Sequence, residues 1–136
     1  MSRAFGLVGA AMMLGSSVLS LAEAGVIELT GAWATQADLC SQVFTKKDNR
    51  VVYAELSDLF GSGFIIDGDR IRGKAGTCTI KSRKEDGKSL ELSAACASSV
   101  MTQDLRFSLT IIDDNNISRS FPEIPGMSLN YTRCKL

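Results

Sequence analysis

Three turn sequences constrain this 136-residue chain more than any other feature, because they divide much of it into short antiparallel pieces. Asp67-Gly68-Asp69-Arg70 has a two-residue Gly-Asp centre suited to a tight II′ or I′ hairpin. Glu85-Asp86-Gly87-Lys88 carries the Asp-Gly hairpin signal. Asp113-Asp114-Asn115-Asn116 tolerates positive φ and forms Asx-type hydrogen bonds. Between these turns apolar and polar residues alternate. In Arg106-Phe107-Ser108-Leu109-Thr110-Ile111 the apolar residues share one face, and Leu90, Leu92, Ala94 and Cys96 alternate with Glu91 and Ser93. A period of two marks strands with one buried face. Hairpins in succession make a meander.

The predicted strands lie near Val26–Trp33, Arg50–Glu55, Gly63–Asp67, Arg70–Lys74, Thr77–Lys84, Ser89–Ala97, Leu105–Ile112, Ile117–Phe121 and Leu129–Cys134. Within Thr35–Phe44, the run Ala37-Asp38-Leu39-Cys40 reads as a short helical turn. Pro122 to Pro125, followed by Gly126, reads as a loop. Gly61-Ser62-Gly63 is too short for a phosphate loop and lets the chain bend. No repeat, low-complexity run or second domain is visible.

Residues 1–24 read as a secretory signal peptide. Arg3 supplies the positive start, an uncharged and largely apolar stretch runs from Ala4 to Ala22, and Ala22-Glu23-Ala24 is the cleavage pattern. The expected mature chain, 25–136, is a single domain in the periplasm or outside the cell, without a stable membrane anchor. It contains all four cysteines, Cys40, Cys78, Cys96 and Cys134. Wide spacing without a C-x-x-C favours structural disulfides over redox or zinc chemistry. Four cysteines allow three pairings. A three-residue loop Asp86-Gly87-Lys88 sets Glu85 opposite Ser89 and, along the same ladder, Cys78 opposite Cys96. Cys40 would then pair with Cys134.

Fifteen Lys+Arg balance fifteen Asp+Glu, which argues against a sequence-independent nucleic-acid binder. The chain has no histidine, which excludes Ser-His-Asp and Cys-His catalysis and His-ligated zinc. The carboxylates give no pattern for an acid/base pair, and Asp113–Asn116 lacks the spacing of a calcium loop. We therefore expect no enzyme activity, metal or cofactor.

Leu29-Thr30-Gly31-Ala32-Trp33 opens the mature chain and Asn130-Tyr131-Thr132-Arg133-Cys134 closes it. Together they resemble the calycin arrangement of lipocalins and avidins. That resemblance implies an indole, here Trp33, at a closed barrel end, with Arg133 packed across it. The signal, the Gly-x-Trp, a cysteine seven residues after Trp33 and the terminal Tyr-x-Arg-Cys also resemble small exported proteins of Gram-negative bacteria without an assigned activity. The expected fold is all-β: an antiparallel, lipocalin-like meander barrel of about eight strands with two disulfides.

Arg70, Arg72 and Lys74 alternate on one face, with Lys81 and Arg83 on the next strand, as a candidate anion or partner patch. The dense apolar run Leu59, Phe60, Phe64, Ile65 and Ile66 is expected to pack the core, and the sequence leaves open whether the barrel is filled or keeps a small cavity. The expected function is non-enzymatic binding of another protein, for example inhibition of an envelope-directed hydrolase such as a lysozyme. The alternative is a carrier holding a small apolar ligand inside the barrel.

Overall fold

The computed structural model describes Gly9 and residues 28–136. The expected signal peptide and its cleavage site lie outside the described residues, Gly9 apart. Ten strands follow in order: β1 (Gly31–Ala34), β2 (Phe44–Lys47), β3 (Arg50–Tyr53), β4 (Gly63–Asp67) and β5 (Arg70–Arg72), then β6 (Gly76–Asp86), β7 (Ser89–Ser98), β8 (Thr102–Asp113), β9 (Asn116–Ser120) and β10 (Ser128–Arg133). Eight of them close an antiparallel barrel, with each strand from β4 to β10 paired to the next and β1 completing the ring between β10 and β4. The meander and its eight strands agree with the sequence expectation. β2 and β3 form a separate hairpin outside the barrel.

The departures have local causes. Residues 28–30, expected to be strand, are irregular because side chains satisfy their carbonyls: Trp33 Nε1 donates to Leu29 O at 2.9 Å, and Arg133 donates to Glu28 O and Thr30 O. The expected strand at Arg50–Glu55 exists as β3, but it pairs with β2 rather than entering the barrel. Its turn is Asp48-Asn49, both at positive φ (52° and 64°), the backbone a tight I′ hairpin demands. The helical turn is a 3-10 turn at Ala37–Leu39 running into α1 (Cys40–Val43).

Both expected disulfides are present, Cys40–Cys134 and Cys78–Cys96. The register behind the second differs from the one expected. The loop is Gly87-Lys88, so Asp86 faces Ser89, one step out of the expected ladder. A bulge between Ile80 and Ser82 absorbs Lys81 and brings Cys78 opposite Cys96. The bulge also exchanges faces along the outer half of β6. Opposed residues share a face, so Arg83, opposite buried Leu92, lies on the inner side of the sheet.

The barrel wall is packed on both sides. Inside, Leu29, Trp33, Ile66, Ile71, Leu90, Leu92, Leu109, Ile117 and Tyr131 form the main core. Outside β1 and β4, Ala32, Ala34 and Ile65 are covered by Cys40, Val43 and Phe44 from the 35–62 excursion, with Tyr53 and Phe60 at its margin. This outer lobe fits because Gly63 has no side chain: a Cβ there would sit 2.2 Å from Trp33 O and 2.9 Å from the Phe44 ring. The Tyr53 hydroxyl lies 3.0 Å from both Gly63 O and Arg72 O, and burial pushes its pKa up to about 12. An unfolded tyrosine ionises near pH ~10. The neutral phenol therefore stabilises the fold fully below that pH, and the contribution disappears as pH rises through about 12. Urea titrations between these limits are expected to show wild-type stability falling more steeply with pH than that of Tyr53→Phe. Equal slopes would place the Tyr53 hydroxyl in water.

Candidate functional site: an apolar cup at the open end of the barrel

The two ends of the barrel differ because their inward side chains differ in size. At the lower end Trp33 is fully buried, and the Arg133 guanidinium carbon lies 4.4 Å above the indole ring. Arg133 also donates to Thr30 O (2.6 Å), Glu28 O (2.5 Å) and Asp114 O (3.0 Å), tying the segment before β1 to the β8–β9 turn. Gly31 makes room for this, since a Cβ there would meet Arg133 Nη1 at 3.1 Å. The same end carries two carboxylates held below their usual pKa. The Thr30 backbone and side chain hydrogen-bond to Glu28, and the Asn115 N–H and the Asn116 side chain to Asp113. Asp113 thus serves the Asx turn read from the sequence.

At the upper end the wall narrows to small residues. Gly73, Ala75, Gly76, Ala97 and Ser98 surround a cavity of about 290 Å³ whose floor is Phe64, Ile66, Ile71, Leu92 and Leu109. The Cys78–Cys96 disulfide and Phe107 line its side, and Val100 and Met101 form an exposed lip. The barrel is therefore not filled by its own side chains, which decides between the two alternatives the sequence left open. The apolar run expected in the core is divided. Phe64 and Ile66 face the cavity, Ile65 and Phe60 pack the outer lobe, and Leu59 is exposed.

One charged side chain lines this cavity among the described residues: Arg119. On β9 it is opposite Leu109 of β8 and Leu129 of β10, both in the interior cluster, so it shares their inward face. Its guanidinium carbon lies 4.6 Å from the Phe107 ring and 4.6 Å from the Phe121 ring. Its Nε is buried without a hydrogen-bond partner. β9 pairs with β8 only from Ser108 onward, so Thr102–Phe107 has no strand on that side, and Arg119 also reaches an outer groove there. Sequence reasoning missed Arg119, though its signal was legible: in Asn116-Ile117-Ser118-Arg119 a charge takes the face of an apolar residue.

The five residues of the candidate basic patch do not gather into one free surface. Arg72 Nη2 donates to Val51 O beneath the outer hairpin, Lys74 pairs with Asp58 at 2.6 Å, and Arg83 pairs with Glu85 at 2.6 Å. Arg70 stands on the outer face of β5, and Lys81 sits at the bulge. The groups with clearly moved pKa values, Glu28, Tyr53 and Asp113, all lie away from the cavity. Comparison with family models, curated proteins and solved structures finds no match. The two disulfides point to an oxidising, extracellular-type environment. Among the described residues no helix is long and apolar enough to cross a membrane.

Proposed function

We propose that this is an exported, non-enzymatic binding protein that carries a small apolar ligand in the upper half of its barrel, acting in the periplasm or outside the cell after cleavage at Ala24. The observation that carries this reading is the apolar cavity of about 290 Å³, sealed below by Trp33 and open above. Its size is at the lower end of small-molecule pockets, and its lining is apolar with a few polar groups, as such sites require. The cavity reverses the order expected from sequence, which put recognition of another protein first. That second reading keeps one supporting feature, the exposed Val100 and Met101 on the lip, 87% and 56% accessible, which suit a hydrolase or other protein partner.

The test uses N-phenyl-1-naphthylamine, a neutral apolar probe that brightens on leaving water. The mature protein is expected to bind it saturably, and Leu105→Trp, which fills the cavity, to weaken it at least tenfold while melting cooperatively. Absence of saturable binding by the wild type overturns the carrier reading. Binding unaffected by Leu105→Trp but lost on Val100→Ser/Met101→Ser moves the site to the lip and favours the protein-binding reading.

A further inference from the structure

Resting on that reading, we infer that the ligand is a monoanionic amphiphile, an apolar body ending in a single carboxylate, and that Arg119 receives the carboxylate. Four observations converge on this side chain. It lines an otherwise uncharged cavity. Its Nε is buried and unpartnered, a state it shares with Arg72 Nε, and unlike Arg72 it donates no hydrogen bond to a backbone carbonyl among the described residues. The ion pairs found among the described residues, Lys74–Asp58 and Arg83–Glu85, do not include it. Its guanidinium carbon lies 4.6 Å from the centroids of both the Phe107 and Phe121 rings, so apolar surface holds it in place.

The donor geometry of the guanidinium selects the ligand group. All guanidinium N–H donors lie in its plane, and two of them on one edge match a carboxylate in a two-bonded fork. The cavity offers one cation, so one negative charge is balanced. A doubly charged phosphate would bring a second charge into an apolar site with nothing to meet it. The remaining lining, Phe64, Ile66, Ile71, Leu92 and Leu109, suits a hydrocarbon tail running toward the floor. The groove on the other side of Arg119 holds Lys81 and Arg106 with Asp104 and Glu123. Its charges cancel, and neither carboxylate is ion-paired with Arg119. The guanidinium remains available to a ligand.

The experiment displaces bound N-phenyl-1-naphthylamine with three molecules of equal chain length: octanoate, octanol and octylammonium. Wild type is expected to bind octanoate at least tenfold more tightly than octanol, with octylammonium weakest. Arg119→Gln is expected to abolish that preference while binding the neutral probe and octanol within about twofold of wild type. Glu123→Gln is expected to leave all three unchanged. Because loss of the stacked guanidinium could disturb the wall, the wild-type Arg119 Nε–H resonance supplies an independent readout: it shifts on adding octanoate and stays put with octanol. Equal affinity for octanoate and octanol, or an unmoved Nε–H signal at saturating octanoate, overturns the inference and leaves the carrier reading standing. Failure of the neutral probe and octanol to bind at all overturns the carrier reading itself.

Discussion

Replacing Cys40 and Cys134 together by alanine is expected to lower the unfolding free energy by about 4–5 kcal/mol, the chain-entropy value for a loop of this length. The two cysteines are 94 residues apart in sequence, so the bridge restricts a long stretch of the unfolded chain. It also fastens the outer lobe, since Cys40 opens α1 and Cys134 follows β10, where its N–H donates to Ala32 O at 2.7 Å. Cys78–Cys96 closes a separation of only 18 and joins strands already paired in register, so its removal is expected to cost nearer ~3 kcal/mol. In thermal unfolding, the first double variant should melt below the second by several degrees. The reverse order would show that the outer lobe is held by its apolar contacts rather than by the bridge.

The second large effect belongs to the closed end. Trp33→Ala is expected to cost about 3–5 kcal/mol, as deletion of a wholly buried indole leaves a cavity that the rigid barrel cannot collapse. Arg133→Ala should cost about 2 kcal/mol, because the carbonyls it serves are near the surface and water replaces part of what is lost. Losing the stack makes the two effects interdependent. A double-mutant cycle is expected to give a coupling of about 1 kcal/mol, the size of a partly exposed cation–π contact. Strict additivity would mean that the guanidinium and the indole are neighbours without being partners.

How much of this was legible in the sequence depended on how local the determinant was. Gly68 and Gly87, both at φ 60°, sit where the Asp-Gly and Gly-Asp signals placed them, because a tight turn is decided by the few residues that form it. Alternation likewise gave β7 and most of β8. The Asp48-Asn49 turn, both residues at positive φ, carries a similar local signal. The bulge at Lys81 had no such signal: nothing within Ile80-Lys81-Ser82 requires it, and it reconciles a two-residue loop at one end with a disulfide at the other. That long-range compromise moved Arg83 off the face of Arg70 and out of the basic patch.

The cavity was harder still to read. It arises from where Gly73, Ala75, Gly76, Ala97 and Ser98 meet in space, residues that look like ordinary loop and strand-end positions in sequence. Arg119 lay within reach of pattern reading, since a charge at the inward position of a strand is costly unless it has a partner or a task. Only the closed barrel reveals that it lies against two aromatic rings and faces an apolar cup.

The most direct test of the account is methyl NMR of residues 25–136 titrated with octanoate. The account predicts saturable shifts at Ile66, Ile71, Leu92 and Leu105, which line the cup, with Leu29 and Leu90 at the closed end and Val43 and Val51 in the outer lobe unmoved. Shifts confined to Val100 and the exposed lip, or an unchanged spectrum at saturating ligand, would contradict it.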